Sequence, residues 1–406
     1  MSPRGPWLRV GLFGLGALLL GNARAELAAR EPVPFELVPR GPATADLADD
    51  KTQGSGVGAH HGEQRLTEES EPFDLEQGAN RAAIERGLAF LASQQAKETD
   101  GSIPSLGSSP ARLAVTALGA LAYMSAGNAA ERGPYGTQVA QAVDHLLSRA
   151  DLDSTSRTRG YITDASPNSK LHGHGFASLA LSEAYSMSPK SARGARIAQV
   201  LELSLTLMET SQGVEGAWIY DPVRSIEHEG SVTIALVQAM RSAKNAGLRV
   251  NPEVITRAID YVRRSQREDG AFRYAIGNDQ VSVALTAAAI STLNATGKYH
   301  GPEIQQGFDH IQRELALREM PLAGSGKSAQ APAWPYYERL YLAQAYWQNP
   351  NRRIFDDWFE SERKELLRTQ NEDGSWDNQR FGPTYATAIN VLVLAIPDQL
   401  LPIFQR

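Results

Sequence analysis

Between residues 79 and 396 the chain alternates two kinds of apolar pattern. Stretches such as Pro252–Ser265 place Val254, Ile255, Ala258, Ile259, Tyr261 and Val262 at helical spacing with charged residues between them, which predicts an amphipathic helix with one wet face. The stretch after each of these is apolar nearly all round and rich in small residues: Leu113–Tyr123, Phe176–Tyr185, Val232–Met240, Val281–Leu293, Leu340–Trp347 and Tyr385–Leu394. A helix with no polar face has to be buried on most sides. Six helix pairs follow, at about 79–127, 134–187, 194–247, 252–297, 302–348 and 353–396. Closed into a ring, they predict an all-α fold, an (α/α)6 toroid with an inner barrel of apolar helices inside an outer barrel of amphipathic ones.

A short motif punctuates the joints. It reads Gln370-Asn371-Glu372-Asp373-Gly374-Ser375-Trp376, Gln266-Arg267-Glu268-Asp269-Gly270-Ala271-Phe272 and Gln212-Gly213-Val214-Glu215-Gly216-Ala217-Trp218. Gln95 with Asp100, Gly101 and Ser102 is a looser copy that ends on Ile103. Glycine ends a helix in the left-handed conformation, and an acidic side chain beside it caps the amides of the turn. The aromatic then packs on the neighbouring pair, so the motif is read as a staple between repeats.

These residues resemble the glutamine-tryptophan repeats of the terpene cyclase and protein prenyltransferase superfamily, which includes squalene-hopene cyclases, oxidosqualene cyclases and prenyltransferase β subunits. The resemblance covers roughly residues 79 to 396 and implies a toroid with a central apolar cavity that binds or acts on an isoprenoid-like molecule. Two hallmarks of those families have no counterpart. The cyclase acid motif Asp-x-Asp-Asp occurs on no predicted toroid helix; the nearest strings are Asp46, Asp49 and Asp50 before the toroid, and Asp356 with Asp357 on an outer helix. The prenyltransferase zinc site needs a cysteine, and the chain has none. No cofactor and no metal are therefore expected, and whether the protein is an enzyme stays open at this point.

The beginning of the chain changes the picture of where the protein works. Arg4 and Arg9 precede an apolar run from Val10 to Leu20, and Ala23-Arg24-Ala25 has the form of a signal-peptidase site. Residues 1–25 are expected to be a signal peptide, 26–76 a flexible arm and 77–406 the toroid. The apolar run is short of the roughly 20 residues of a stable membrane span, so the protein is expected to be exported to the periplasm or beyond. His60 and His61 lie in the arm and read as solvated. A net charge of −6 without a basic cluster argues against nucleic acid as a partner.

In a ring of paired helices the starts of the inner helices converge on one mouth. Here they carry Lys170-Leu171-His172-Gly173-His174-Gly175, Glu227-His228-Glu229-Gly230, Asn278-Asp279-Gln280, Trp334-Pro335-Tyr336-Tyr337-Glu338 and Pro383-Thr384-Tyr385. A shift of 55 positions lays His174 on Glu229 and Gly175 on Gly230. Three readings of the cluster compete. In one, His174 and Glu229 cap helix starts and bond to each other; in the second, His172, His174, His228 and a carboxylate form a zinc-type site; in the third, Glu229 or Asp279 works beside His174 as acid and base. The candidates are thus His174, Glu229 and Asp279 for catalysis, and His172, Glu183, His228, Tyr336, Tyr337 and Tyr385 for the cavity. Glu183 stands out as a charge within a buried helix, costly unless paired or facing a cavity. Trp334, Tyr336, Tyr337, Tyr341, Tyr346 and Trp347 crowd the fifth pair, a stripe more typical of core than of a ligand platform. Gly324-Ser325-Gly326-Lys327 lacks the strand and spacing of a phosphate loop. The main expected partner is an apolar small molecule. The alternatives are a polysaccharide hydrolase or lyase using Asp164, Glu229 and Asp279, and a non-catalytic protein-binding scaffold.

Overall fold

The computed structural model describes residues 72–164, 170–319 and 332–405. The expected signal peptide, the arm up to residue 71, His60 and His61, the Asp46–Asp50 string and the Gly324–Lys327 connector lie outside the described residues. The first helix starts at Pro72, inside the segment expected to be arm.

The six pairs are present. The outer helices are α1 (Pro72–Gln95), α3 (Gly136–Ser148), α5 (Ala192–Ser211), α7 (Pro252–Arg264), α9 (Pro302–Glu319) and α11 (Arg352–Thr369). The inner ones are α2 (Arg112–Ser125), α4 (Lys170–Met187), α6 (Gly230–Asn245), α8 (Val283–Ala295), α10 (Pro335–Trp347) and α12 (Pro383–Ala395). Each inner helix packs on the next, and α12 packs on α2, which closes the ring. Each outer helix leans on the inner helix of the preceding pair: α3 on α2, α5 on α4, α7 on α6, α9 on α8, α11 on α10 and α1 on α12. Small residues set the spacing of the inner barrel. A Cβ added at Gly175 of α4 would lie 3.1 Å from the Ala235 Cβ of α6, so these two backbones approach closely.

The glutamine motif is the stitch between pairs, and it works the same way in all four copies. The side-chain amide of Gln212 donates to Gly216 O (2.8 Å) and to Val254 O on the next outer helix (2.9 Å). Gln266 bridges Gly270 O and Glu303 O, and Gln95 bridges Gly101 O and Gln138 O. Gln370 bridges Gly374 O and Ala83 O, joining the last pair to the first. The motif glycines sit at φ between +76° and +90°, and a Cβ on any of them would collide with a carbonyl of that same outer helix. Asp100, Asp269 and Asp373 cap the turn through the amide two residues on, whereas Glu215 instead pairs with Arg264. Two of the terminal aromatics also donate backwards, Trp218 to Met208 O and Trp376 to Leu366 O.

One half of this stitch escaped the sequence reading. The backbone N–H of the motif's last residue donates to a threonine hydroxyl in the first turns of the following inner helix: Ile103 to Thr116, Trp218 to Thr233, Phe272 to Thr286 and Trp376 to Thr387. The second pair has no glutamine copy, yet it repeats the geometry. Gly160 takes φ +91° against the backbone of Leu203, Ser204 Oγ donates to Gly160 O, and Ile162 N donates to His174 Nδ1. His174 therefore occupies the place of the threonines. It is the counterpart of Thr233 and not of Glu229, because the loops before α4 and α6 differ in length and invalidate a constant shift of 55.

The described residues also hold one antiparallel hairpin, β1 (Arg273–Ala275) with β2 (Asn278–Val281), turning at Gly277. Asn278, Asp279 and Gln280, expected to begin an inner helix, form its second strand, and α8 starts at Val283 with Ser282 as its cap.

Candidate functional site

The mouth at the N-terminal ends of the inner helices is built around Glu229. This fully buried residue is the N-cap of α6: Oε1 accepts from Ser231 N (2.9 Å) and Ser231 Oγ (2.6 Å), and Oε2 accepts from Val232 N (2.7 Å). A carboxylate at this place satisfies otherwise orphaned amides and sits at the positive end of the helix dipole. The Ser231 hydroxyl spends its proton on Glu229, so its lone pair accepts from His172 Nε2 at 2.8 Å. That bond fixes the imidazole tautomer, with hydrogen on Nε2 and Nδ1 as the acceptor nitrogen. Burial lowers the His172 pKa and the Glu229 charge partly restores it, so the ring is a neutral proton acceptor at neutral pH.

Tyrosines complete this rim. Tyr220 lies beside His172, with ring centres 5.9 Å apart, and its hydroxyl meets that of Tyr274. Tyr337 stacks obliquely on Tyr341 at 4.6 Å with its hydroxyl buried against that ring's, and burial with the nearby tyrosine and Glu229 raises its pKa. Tyr336 touches Tyr385 edge-on and donates to Asp377 O, and Tyr385 meets Phe381. Trp334 is 42% exposed at the edge, stacked on Phe381 under the Arg380 guanidinium. Tyr341, Tyr346 and Trp347 from the same stripe are core.

The structure thus brings together His172, Glu229 and Tyr337, with Tyr336 and Tyr385 on the same rim, and leaves the other candidates elsewhere. His174 is fully buried, and burial pushes its pKa down to about 3. It is a neutral hydrogen-bond acceptor in a repeat joint, not bonded to Glu229. His228 bonds through Nδ1 to Tyr261 OH at 3.0 Å. Asp279 is 84% exposed and paired with Arg273. The three histidines of the zinc-type reading go to three different partners, and among the described residues no three His, Cys, Asp or Glu side chains are grouped to hold a metal ion. Asp356 and Asp357 sit on outer helix α11, facing Arg352 and Arg353. The sequence reading missed Ser231, Tyr220 and Tyr274. A signal was present for the tyrosines, since each stands two residues after a motif aromatic, Trp218 or Phe272.

His174→Ala is expected to lower stability by about 1–3 kcal/mol, because the buried Ile162 amide loses its acceptor. His174→Asn, whose amide oxygen falls near the Nδ1 position, should recover most of that loss. Chemical denaturation of the two variants tests this; equal losses would remove His174 from the joint.

Below the mouth, His172, Phe176, Leu179 and Glu183 follow one another along one face of α4. Phe176 and Leu179 line the axial space with Leu118, Leu121, Leu340 and Leu392, and the Gln238 and Gln344 amides bond to each other across it at 2.9 Å. The wall is almost wholly apolar, but the space left is small. About 20 Å³ admits the centre of a water-sized body, room for about one water. Ile403 and Phe404, from the segment after α12, complete its lining. Glu183 lies at this lower end, fully buried, with Ser242 Oγ donating to it at 2.6 Å.

Neither a protein-family model nor a curated protein matches the chain. Solved structures do. The chain is similar to the type II terpene cyclase MstE from Scytonema, solved with geranylgeranyl dihydroxybenzoate as substrate: 16% identity, 80% of this chain, 99% of that one, TM-score 0.51. It is similar to the GH76A α-1,6-mannanase from Salegentibacter sp., with 10% identity, 80% and 99% coverage and a TM-score of 0.55. A glycoside hydrolase family 76 mannosidase from Bacteroides thetaiotaomicron gives 12% identity, 77% and 97% coverage and a TM-score of 0.55. At such identities the likeness is one of fold, and the chain is an (α/α)6 toroid, the architecture it shares with these terpene cyclase and mannanase structures.

Proposed function

We propose that the toroid binds an isoprenoid-like molecule, its polar head at the His172–Ser231–Glu229 mouth and its apolar chain along the axis. The observation that carries this reading is the continuity of the α4 face, from a titratable imidazole at the rim through Phe176 and Leu179 into a wall of leucines. Such a path matches a ligand with one polar end, and burying its chain provides affinity at roughly 0.8 kcal/mol per methylene. The MstE substrate, a geranylgeranyl chain on a dihydroxybenzoate, has that form. The Ala23-Arg24-Ala25 site after an apolar run supports export, so the ligand would be met in the periplasm or outside the cell.

The mannanase likeness favours a second reading, a glycan-active enzyme. It needs two carboxylates flanking a glycosidic bond. Glu229 has both oxygens on α6 amides or Ser231, Asp164 accepts from Leu113 N at 2.9 Å, and Asp279 is paired with Arg273. These assignments support the apolar ligand over the sugar.

Native mass spectrometry of the chain purified without detergent, followed by solvent extraction, is expected to show one apolar molecule retained per chain. Leu179→Phe, which narrows the axis, should lose it while the protein still melts cooperatively. Retention unchanged by Leu179→Phe would refute axial binding.

A further inference from the structure

The lower end of the axis is closed by a segment that belongs to no helix pair. After α12 the chain makes a 3-10 turn, Ile396–Asp398, reverses at Gln399 (φ +54°) and ends its described course in a second 3-10 turn, Pro402–Phe404. Leu401, Ile403 and Phe404 are buried to 5% exposure or less. Ile403 and Phe404 stand in the axial space against Leu118, Leu121, Leu179 and Leu392, where a ligand chain would lie.

The attachments of this segment are few, and one of them reaches inward, where the Ile403 amide meets the buried Glu183 carboxyl. Trp347 Nε1 donates to Phe404 O at 2.8 Å, and Gln405 Nε2 returns to Gln399 O at 2.9 Å. Within it the backbone bonds are local, Gln399 N to Ile396 O and Phe404 N to Leu401 O. It therefore leaves the axis without breaking any helix ladder or any glutamine stitch. Its hold is three apolar side chains, Leu401, Ile403 and Phe404, with the Ile403 amide on Glu183, and an apolar ligand replaces the apolar part of that contact in kind.

We propose that residues 400–405 are a removable plug, an internal competitor that occupies the lower axial space until an apolar chain displaces it. This rests on the reading that the axis binds an apolar molecule. The mechanism is competition for one wall: the ligand's methylenes take over the leucine contacts of Ile403 and Phe404, and the segment swings out about the Gln399 reversal. Apparent affinity is then the intrinsic affinity reduced by the fraction of molecules with the plug out.

The test uses the full chain, with farnesol as probe. The double variant Ile403→Ser, Phe404→Ser weakens the plug, and Trp347→Phe removes the tether to Phe404 O while trimming the ring that packs on Phe355 and Arg352. Farnesol is expected to bind the double variant about tenfold or more tighter than the parent, with Trp347→Phe between them. In the parent, farnesol should speed hydrogen exchange at the Gln399 and Phe404 amides while slowing it in α2 and α4. Equal affinities for all three chains, with exchange over 399–405 unchanged or slowed, overturn the plug and leave axial binding standing. No uptake by any of the chains, each shown to be folded by its melting transition, overturns both.

Discussion

Gly374→Ala is expected to lower the free energy of unfolding by roughly 3 kcal/mol, the sum of a left-handed backbone cost and a collision with a fixed neighbour. Gly374 sits at φ +87°, and a Cβ there would overlap the carbonyl oxygen of Arg86 in α1. That oxygen belongs to a helix backbone, so the collision is relieved only by moving α1 away from the joint. The same joint holds the Gln370 amide bonds to Gly374 O and Ala83 O, a link across 287 positions of sequence that ties the last pair to the first. Gln370→Ala is expected to cost about 1–3 kcal/mol by leaving these carbonyls without a donor. Gly78→Ala is the control: it lies in α1 with nothing within 4 Å of the added Cβ. It should stabilise the chain by about 0.5–1 kcal/mol through helix propensity. Urea unfolding of the three variants reads all of this, and a Gly374→Ala chain within 1 kcal/mol of the parent would refute the account of how the ring is closed.

The stability of the parent chain is expected to fall by about 3 kcal/mol between pH 4.5 and pH 8 through Glu183 alone. Burial raises this carboxyl from 4.5 to about 7, with the Ser242 hydroxyl and the Ile403 amide offsetting part of the rise. A raised carboxyl pKa means that the folded state favours the protonated form. The stabilisation is complete below about 4.5, declines as the pH climbs, and is gone above about 7. Ionisation would place a charge in an apolar wall with only the Ser242 hydroxyl and the Ile403 amide to meet it. Glu183→Gln keeps an acceptor for Ser242 and cannot ionise. The difference in unfolding free energy between variant and parent should therefore grow by about 3 kcal/mol across this window, in favour of the variant. A difference that stays constant with pH would show that Glu183 is not held protonated.

The placement of Glu183 also shows what a one-dimensional reading reaches. A carboxylate inside an apolar helix was legible as an anomaly, since burial without a partner is costly in any fold. That Ser242 is its donor was not, because α6 is brought beside α4 only by the ring. Likewise the glutamine-glycine turns were legible in four places, because the left-handed glycine and, in three of them, the aspartate cap are local chemistry. The threonines that complete them were not, because nothing in their sequence surroundings marks Thr116, Thr233, Thr286 or Thr387 as special. His174 is the instructive case. Beside His172 and two glycines it looks like part of a reactive cluster, yet it fills a threonine's place in a repeat whose glutamine is missing.

By itself, then, the sequence determined the helix pairs, their order and the stitches between them, since a 3.6-residue apolar period and a glycine that must adopt positive φ are properties of short segments. The tertiary structure decided which polar groups share the mouth and what fills the axis. His172, Ser231 and Tyr337 come from three helices whose connecting loops differ in length, so no constant spacing aligns them. Ile403 and Phe404 enter the axis from a segment outside the repeat. Their place there follows from the leucine wall left uncovered at the lower end of the ring, a surface that exists only once all six pairs have closed.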